Sequence, residues 1–125
     1  HVLRVEEIDE ASLSNIFNEE LKVIHHTDPH PENPEKYKDF NFFNRSCTTI
    51  LRDGLRKYGL KKIKGVFPRD FFTSAATICL GIQELNSTVF TMPQLLVKEA
   101  PPSVTTPFMN PCNYYQFRKL RYQNQ

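Results

Sequence analysis

Residues 47–58 constrain the fold most, because they show a clear helical period and clear ends. The apolar side chains in this stretch recur at helical spacing and form one stripe: Cys47, Ile50, Leu51, Leu55 and Tyr58. Arg56 and Lys57 would fall in the last turn, where cations suit the helix dipole. Gly59 follows, and glycine readily adopts the left-handed conformation that ends many helices. We therefore predict an amphipathic helix over residues 47–58.

Proline residues divide much of the remaining chain. Residues 27–36 contain three prolines, so we expect them to form an exposed loop. Pro68 suits the first turn of a second helix, which we expect to run to about Leu80 and to stop at Gly81. Residues 100–125 are rich in proline and aromatic side chains and show no period. They are expected to form an extended arm.

Weaker signals complete a predicted α+β fold. They indicate a strand at residues 2–5, a helix capped by Asp9 or Ser12 that runs to about Glu20, a strand or helix end at residues 21–26, and one or two short strands within residues 87–97. We expect residues 1–99 to form a single domain, in which the helix at residues 47–58 packs on a small antiparallel sheet. The arm at residues 100–125 would lie over this domain or against a partner.

Charge is distributed unevenly along the chain. The formal net charge is only +2, but residues 1–36 carry nine acidic and three basic side chains, whereas residues 37–125 carry five acidic and thirteen basic ones. We expect the two parts to complement each other across the fold, and nucleic-acid binding is the less favoured use of the basic part. No apolar run reaches the roughly 18 residues of a membrane-spanning helix, so no transmembrane segment is expected.

The chain has three cysteines, Cys47, Cys79 and Cys112, and none of them forms a CxxC pair. Such a sparse, odd set predicts neither a disulfide framework nor a zinc site, and we expect no metal or cofactor. Cys47 stands out by its position, because it begins the predicted helix. The free N–H groups and the dipole of a helix N-terminus favour a thiolate, and Arg45 adds a nearby cation.

Two roles are open for Cys47. As a nucleophile, it would need a facing histidine as base, and N–H groups at Ser46 and Thr48 would hold the oxyanion of a tetrahedral intermediate. As a structural residue, it would be buried with the apolar stripe, because cysteine is among the most buried residue types. The residue pattern alone favours the buried thiol.

The run at residues 37–53, YKDFNFFNRSCTTILRD, resembles the motif of the bacterial DUF4105 proteins. In that motif a tyrosine and other aromatic residues lead into Asn-Cys-Thr-Thr and then into an apolar helix that contains Arg-Asp. The family is similar to permuted NlpC/P60-type papain-like hydrolases. This chain has Ser46 where the family has asparagine, and Asn44 lies two positions earlier.

The resemblance implies a papain-like fold with Cys47 as the catalytic nucleophile. It also implies a histidine that precedes the cysteine, substrates of the peptidoglycan-peptide or lipid-amide class, and a location in the bacterial periplasm or cell envelope. His1, His25 and His26 are the candidate bases. His1 heads a predicted strand, as the base does in permuted papain-like enzymes, and His25 and His26 end an apolar run. His30 lies between prolines and is expected to be solvated.

These observations lead to two functional hypotheses. The first is hydrolysis or acyl transfer at an amide or ester bond through Cys47. The second is a non-catalytic interaction module, or an accessory subunit of a larger complex, whose C-terminal arm docks on a protein partner. The position of the imidazole rings relative to the sulfur of Cys47 is the structural feature that separates the two hypotheses.

Overall fold

The computed structural model describes residues 1–37, 40–93 and 107–123 of the chain. These residues form four helices and two small antiparallel sheets. In chain order the elements are β1 (Val2–Val5), α1 (Glu10–His25), β2 (Pro29–His30), β3 (Asn33–Tyr37), α2 (Cys47–Tyr58), α3 (Pro68–Leu80), β4 (Ser87–Phe90) and α4 (Pro111–Gln123). The predicted α+β class is confirmed, whereas the parts of the predicted strands and arm within residues 94–106 lie outside the described residues.

The core lies where α3 and α4 pack on the sheet formed by β1 and β4. The two strands run antiparallel, with Val2 opposite Phe90. A cluster of buried side chains joins the layers, with Ala76 from α3, Val89 from β4 and Leu120 from α4. Burial of this apolar cluster is the main force that holds the two helices on the sheet.

The cysteine-bearing helix α2 packs mainly on α1, whereas the sequence predicted packing on the sheet. Three contacts follow one another along the helix pair: the Asp9 N–H donates to the Tyr58 hydroxyl at 2.9 Å, the Phe17 ring lies on Gly54, and Glu20 pairs with Arg45 at 2.5 Å. Later residues of α1 therefore meet earlier residues of α2. The two helices run in opposite directions, and the end of α1 lies near the start of α2.

The reason for this packing is the face that α2 buries. Cys47 and Leu51 belong to the apolar stripe, yet both are exposed, Leu51 by 45%. The buried residues of α2 are Thr48, Thr49 and Gly54. At 3.6 residues per turn, Gly54 lies on the same side of α2 as the stripe residues Ile50 and Tyr58, and this side faces α1. Part of the apolar stripe therefore packs on α1, whereas Cys47 and Leu51 stay exposed.

The predicted ends of α2 and α3 are confirmed. Ser46 and Thr49 form a reciprocal capping box at the start of α2. Gly59 ends this helix with a φ of 132°, a backbone conformation that residues with a side chain rarely adopt. α3 begins at Pro68 and is followed by Gly81. Each of these signals acts within one helical turn, so each can be identified from the sequence alone.

The region between α1 and α2 differs from its prediction. Asp9 caps α1, and hydrogen bonds from the hydroxyl and N–H of Ser12 hold the pKa of Asp9 below its ordinary value. α1 then continues to His25, so residues 21–25 form a helix end, one of the two forms expected for residues 21–26. Part of residues 27–36, predicted to be an exposed loop, forms the β2–β3 hairpin. A two-stranded hairpin has a free edge on both strands, where a proline costs no hydrogen bond of the sheet.

The described part of the predicted extended arm is helical, and Asp70 of α3 holds the start of this helix, α4. Asp70 is only 3% exposed. Its carboxylate accepts hydrogen bonds from the Met109 N–H at 2.7 Å, the Asn110 N–H at 3.2 Å and the Asn113 side-chain amide at 2.6 Å. A carboxylate at a helix N-terminus also complements the helix dipole. Asp70, which holds the start of α4, is thus distant in sequence. No local hydrophobic period indicates this helix.

Aromatic contacts complete the docking of α4 on its own chain. The Arg69 guanidinium lies 4.3 Å from the centroid of the Phe108 ring and 5.3 Å from that of Phe117. The Phe117 ring in turn contacts the rings of Phe72 and His1. The C-terminal segment therefore belongs to the folded body over residues 107–120. Docking of the arm on a protein partner stays a prediction.

The contact between Phe17 and Gly54 gives a test of the α1–α2 packing. A Cβ at position 54 would overlap the Phe17 ring, so we expect Gly54→Ala to lower the free energy of unfolding by about 1–3 kcal/mol. Gly81→Ala is the matched control, because a Cβ there meets its nearest atoms at 3.4 and 3.5 Å. The control should stay within about 1 kcal/mol of the parent in urea unfolding. Equal effects of the two substitutions would contradict the packing.

The carboxylate of Asp70 gives a second test. Asp70→Ala leaves three donors at the start of α4 without their acceptor, so we expect a loss of about 3 kcal/mol in the free energy of unfolding. Glu84→Ala, at an exposed position, should change it by less than about 0.5 kcal/mol. Hydrogen exchange should also rise selectively in α4. An intact α4 in the Asp70→Ala variant would show that the carboxylate does not hold the helix.

Candidate functional site

Cys47 occupies the first position of α2 with its side chain exposed to solvent. Its sulfur lies 4.0 Å from the Thr48 hydroxyl. The alternative of a buried structural thiol therefore does not hold for Cys47. Cys79 is the buried thiol, at 3% exposure, and desolvation raises its pKa. Cys112 is exposed near the start of α4 and offers an internal comparison for Cys47.

Some backbone N–H groups at the start of α2 donate hydrogen bonds within the cap, and others have no acceptor among the described residues. The Ser46 N–H donates to the Thr49 hydroxyl at 2.7 Å, and the Thr49 N–H donates to the Ser46 hydroxyl at 3.4 Å. Among the described residues, the N–H groups of Cys47 and Thr48 have no acceptor. The Thr48 N–H is thus available to an oxyanion, as predicted, whereas the Ser46 N–H is used inside the cap.

The N–H of Cys47 itself was not among the oxyanion donors predicted from the sequence. The spacing Ser46-x-x-Thr49 is the signal that could have found it, because a capping box commits the N–H of the residue before the cysteine. With that donor committed, the next two N–H groups along the chain are the ones left at the helix N-terminus. They belong to Cys47 and Thr48.

Three of the four histidine rings are engaged away from Cys47. His1 Nδ1 lies 3.0 Å from the Thr91 hydroxyl, His26 Nδ1 lies 2.7 Å from the Lys22 carbonyl oxygen, and His30 Nδ1 accepts a hydrogen bond from the Glu32 N–H at 3.2 Å. The ring of His25 is exposed and hydrogen-bonds to no residue in the described ranges. No imidazole in those ranges hydrogen-bonds to the Cys47 sulfur.

The antiparallel packing of α1 and α2 brings some of these residues to one end of the helix pair. Glu20 meets Arg45, two residues before Cys47. His25 follows Glu20 by five residues, or about one and a half helical turns. His25 and His26 therefore lie at the same end of the pair as Cys47. His1 lies instead beside α3 and α4, where its ring packs on aromatic side chains.

The charge of Arg45 is directed toward α1. Its guanidinium forms an ion pair with Glu20, and the side chains of the two residues are 26% and 18% exposed. This pair borders a cavity of about 160 Å³ between α1 and α2, which Ile16, Ile50 and Asp53 also line. Cys47 is not part of the lining. Arg45 therefore positions the segment before α2, and its charge is shared with Glu20 rather than given to Cys47 alone.

Apolar side chains flank Cys47 along the chain on both sides. Phe42 and Phe43 precede it and are 50% and 57% exposed, and Leu51 lies one helical turn after it. The Phe42 ring contacts the rings of Phe43 and Phe67. Exposed apolar side chains therefore lie near Cys47 in sequence on both sides.

Comparison with known proteins assigns no family. No family model, no curated protein and no solved structure matches the chain. Within residues 1–37, 40–93 and 107–123, no group of three or more His, Cys, Asp or Glu side chains is arranged to hold a metal ion. The helices in these ranges also lack the length and apolar character needed to cross a membrane.

Proposed function

We propose that the chain is a thiol hydrolase or acyltransferase that acts on amide or ester bonds through Cys47. The observation that carries this proposal is the exposed Cys47 sulfur at the N-terminus of α2, beside the unused N–H groups of Cys47 and Thr48. The two donors suit the oxyanion that forms when the sulfur attacks a carbonyl group. The resemblance to the DUF4105 and NlpC/P60-type proteins supports the same chemistry.

His25 is the base that we assign to this reaction. It shares the Cys47 end of the α1–α2 pair, and its ring has no hydrogen-bond partner among the described residues. His26 is close in sequence, but its Nδ1 contacts the Lys22 carbonyl. The sulfur and the His25 ring are not hydrogen-bonded to each other, so the reaction requires His25 to approach Cys47 when substrate binds.

The proposed reaction has two steps. The Cys47 sulfur, after losing its proton to His25, attacks the carbonyl carbon, so that a C–S bond forms and the oxyanion accepts hydrogen bonds from the Cys47 and Thr48 N–H groups. The C–N or C–O bond then breaks, and the leaving group takes the proton from His25. In the second step, water or an acceptor loses a proton to His25 and attacks the thioester. This releases the acyl group and restores the thiol.

The substrate class follows from the resemblance and from the flanking side chains. Peptidoglycan-type peptides and lipid amides are the classes that the resemblance implies. The exposed side chains of Phe42, Phe43 and Leu51 favour a substrate with an apolar group beside the scissile bond. A bacterial periplasmic or envelope location accompanies this proposal, since such substrates occur there.

A second candidate function is a non-catalytic interaction module. The observation in its favour is that none of the four imidazole rings hydrogen-bonds to the Cys47 sulfur, while those of His1, His26 and His30 have other partners. In that case the exposed aromatic residues before α2 would contact a protein partner rather than a substrate. The reactivity of the thiol separates the two candidates, because a binding surface does not require an activated sulfur.

The first test of the enzyme proposal measures alkylation of the three thiols. At pH 6, iodoacetamide should label Cys47 about tenfold faster than Cys112, because Cys112 is also exposed in the first turn of a helix but its N–H donates to the Asn110 side chain. Cys79 should react only after unfolding, because burial raises the pKa of its thiol. Peptide mass spectrometry reads the three rates in one sample. Equal rates for Cys47 and Cys112 would favour the interaction module.

The second test separates His25 from its neighbour. With p-nitrophenyl acetate as a model ester, we expect an acetyl thioester on Cys47, and His25→Ala should slow its formation about 100-fold. His26→Ala should change the rate less than about twofold, because that ring is held by a backbone carbonyl. Cys47→Ser should abolish the thioester. If the two histidine substitutions act equally, His25 is not the base.

A further inference from the structure

An apolar groove lies at the opposite end of α2 from Cys47, where the C-terminal ends of α2 and α3 meet. Leu60, Ile78 and Ile82 supply its aliphatic surface, and Lys61 and Lys62 lie along it. Its volume of about 460 Å³ falls within the range of roughly 300–1,000 Å³ that is typical of ligand-binding clefts. No part of this groove belongs to the chemistry proposed for Cys47.

The groove lies in the most basic part of the described chain. Lys57, Lys61, Lys62 and Lys64 fall within eight consecutive residues, and all four side chains are exposed. None of them forms an ion pair with a described carboxylate. Arg56, in the same segment, is by contrast bound to the Ile63 carbonyl and close to Asp53.

We propose that this groove docks an acidic segment of a partner protein, with an aliphatic side chain in the groove and carboxylates at Lys61 and Lys62. Charge complementarity carries the choice of partner, because Lys61 and Lys62 border the apolar surface and neither pairs with a described carboxylate. Because the groove is concave, it suits a segment that inserts a side chain better than it suits a flat membrane surface. The docking function does not depend on Cys47.

The lysines and the aliphatic residues of the groove would contribute to binding in different ways. The exposed lysines would steer the acidic segment and set the salt dependence of binding, since interactions between exposed charges are screened beyond about 8 Å at physiological ionic strength. The aliphatic residues Leu60, Ile78 and Ile82 would supply a pocket that selects an apolar side chain. Both features are needed, so an acidic segment without an aliphatic residue should bind more weakly.

The test uses the full chain and a fluorescein-labelled peptide of repeated Glu-Glu-Leu units, followed by fluorescence anisotropy. We expect the double variant Lys61→Glu/Lys62→Glu to weaken binding at least about tenfold. The control Arg4→Glu/Lys22→Glu changes the net charge equally at exposed positions elsewhere, and it should weaken binding less than about twofold. Replacing leucine by serine in the peptide should also weaken binding. Unfolding midpoints confirm that both variants fold.

Several outcomes would overturn the proposal. These are equal losses in the two double variants, no effect of the leucine replacement, and lysine-dependent binding to phosphatidylserine vesicles without binding to the peptide. Self-association that depends on Lys61 and Lys62, measured by sedimentation, would assign the groove to a second copy of the chain instead. Cys47→Ser should bind the peptide like the parent, so failure of docking is distinguishable from failure of the thiol chemistry.

Discussion

The contact of the Phe17 ring with Gly54 is the constraint on which the arrangement around Cys47 depends. A Cβ at position 54 would overlap the Phe17 ring, so either the ring or the helix would have to shift. Farther along the same helix pair, Glu20 pairs with Arg45. Arg45 in turn fixes the segment before α2. The position of the thiol therefore follows from a glycine nearly two helical turns away.

The docking of α4 follows a different principle, in which one buried carboxylate organises a distant segment. Asp70 is buried, so its charge is acceptable only because three donors from residues 109–113 surround it. The same donors would otherwise lack partners at the start of α4. The carboxylate therefore satisfies donors that would otherwise lack partners, and the donors satisfy a charge that would otherwise be buried without hydrogen bonds. This mutual dependence explains how a proline- and aromatic-rich segment without a helical period still forms a packed helix.

The sequence allowed the bounds of α2 and α3 to be predicted, because glycine and proline act within a single turn. It did not reveal which element covers α2, since the helical period identifies the apolar stripe but cannot show that Gly54, on the same side as Ile50 and Tyr58, accepts a ring from α1. The helical state of residues 111–123 was equally hidden, because its stabilising partner, Asp70, is remote in sequence.

The candidate site was partly predictable for the same reasons. The position of Cys47 at a helix start and the candidate histidines could be identified from local pattern. The selection of His25 could not, because it depends on the direction in which α1 runs along α2 and on the ring contacts of His1 and His26. The sequence also did not show that the Ser46 N–H donates within the cap, because this requires the hydrogen-bond geometry.

The two proposed surfaces lie at opposite ends of one helix, and the helix dipole gives each end a different chemistry. The N-terminus of α2 presents the N–H groups of Cys47 and Thr48, which have no acceptor among the described residues, and its partial positive charge suits an oxyanion. The C-terminus carries partial negative charge, which stabilises the nearby cations Lys57 and Lys61. Because both ends belong to one rigid element, a displacement of α2 against α1 would move both surfaces together.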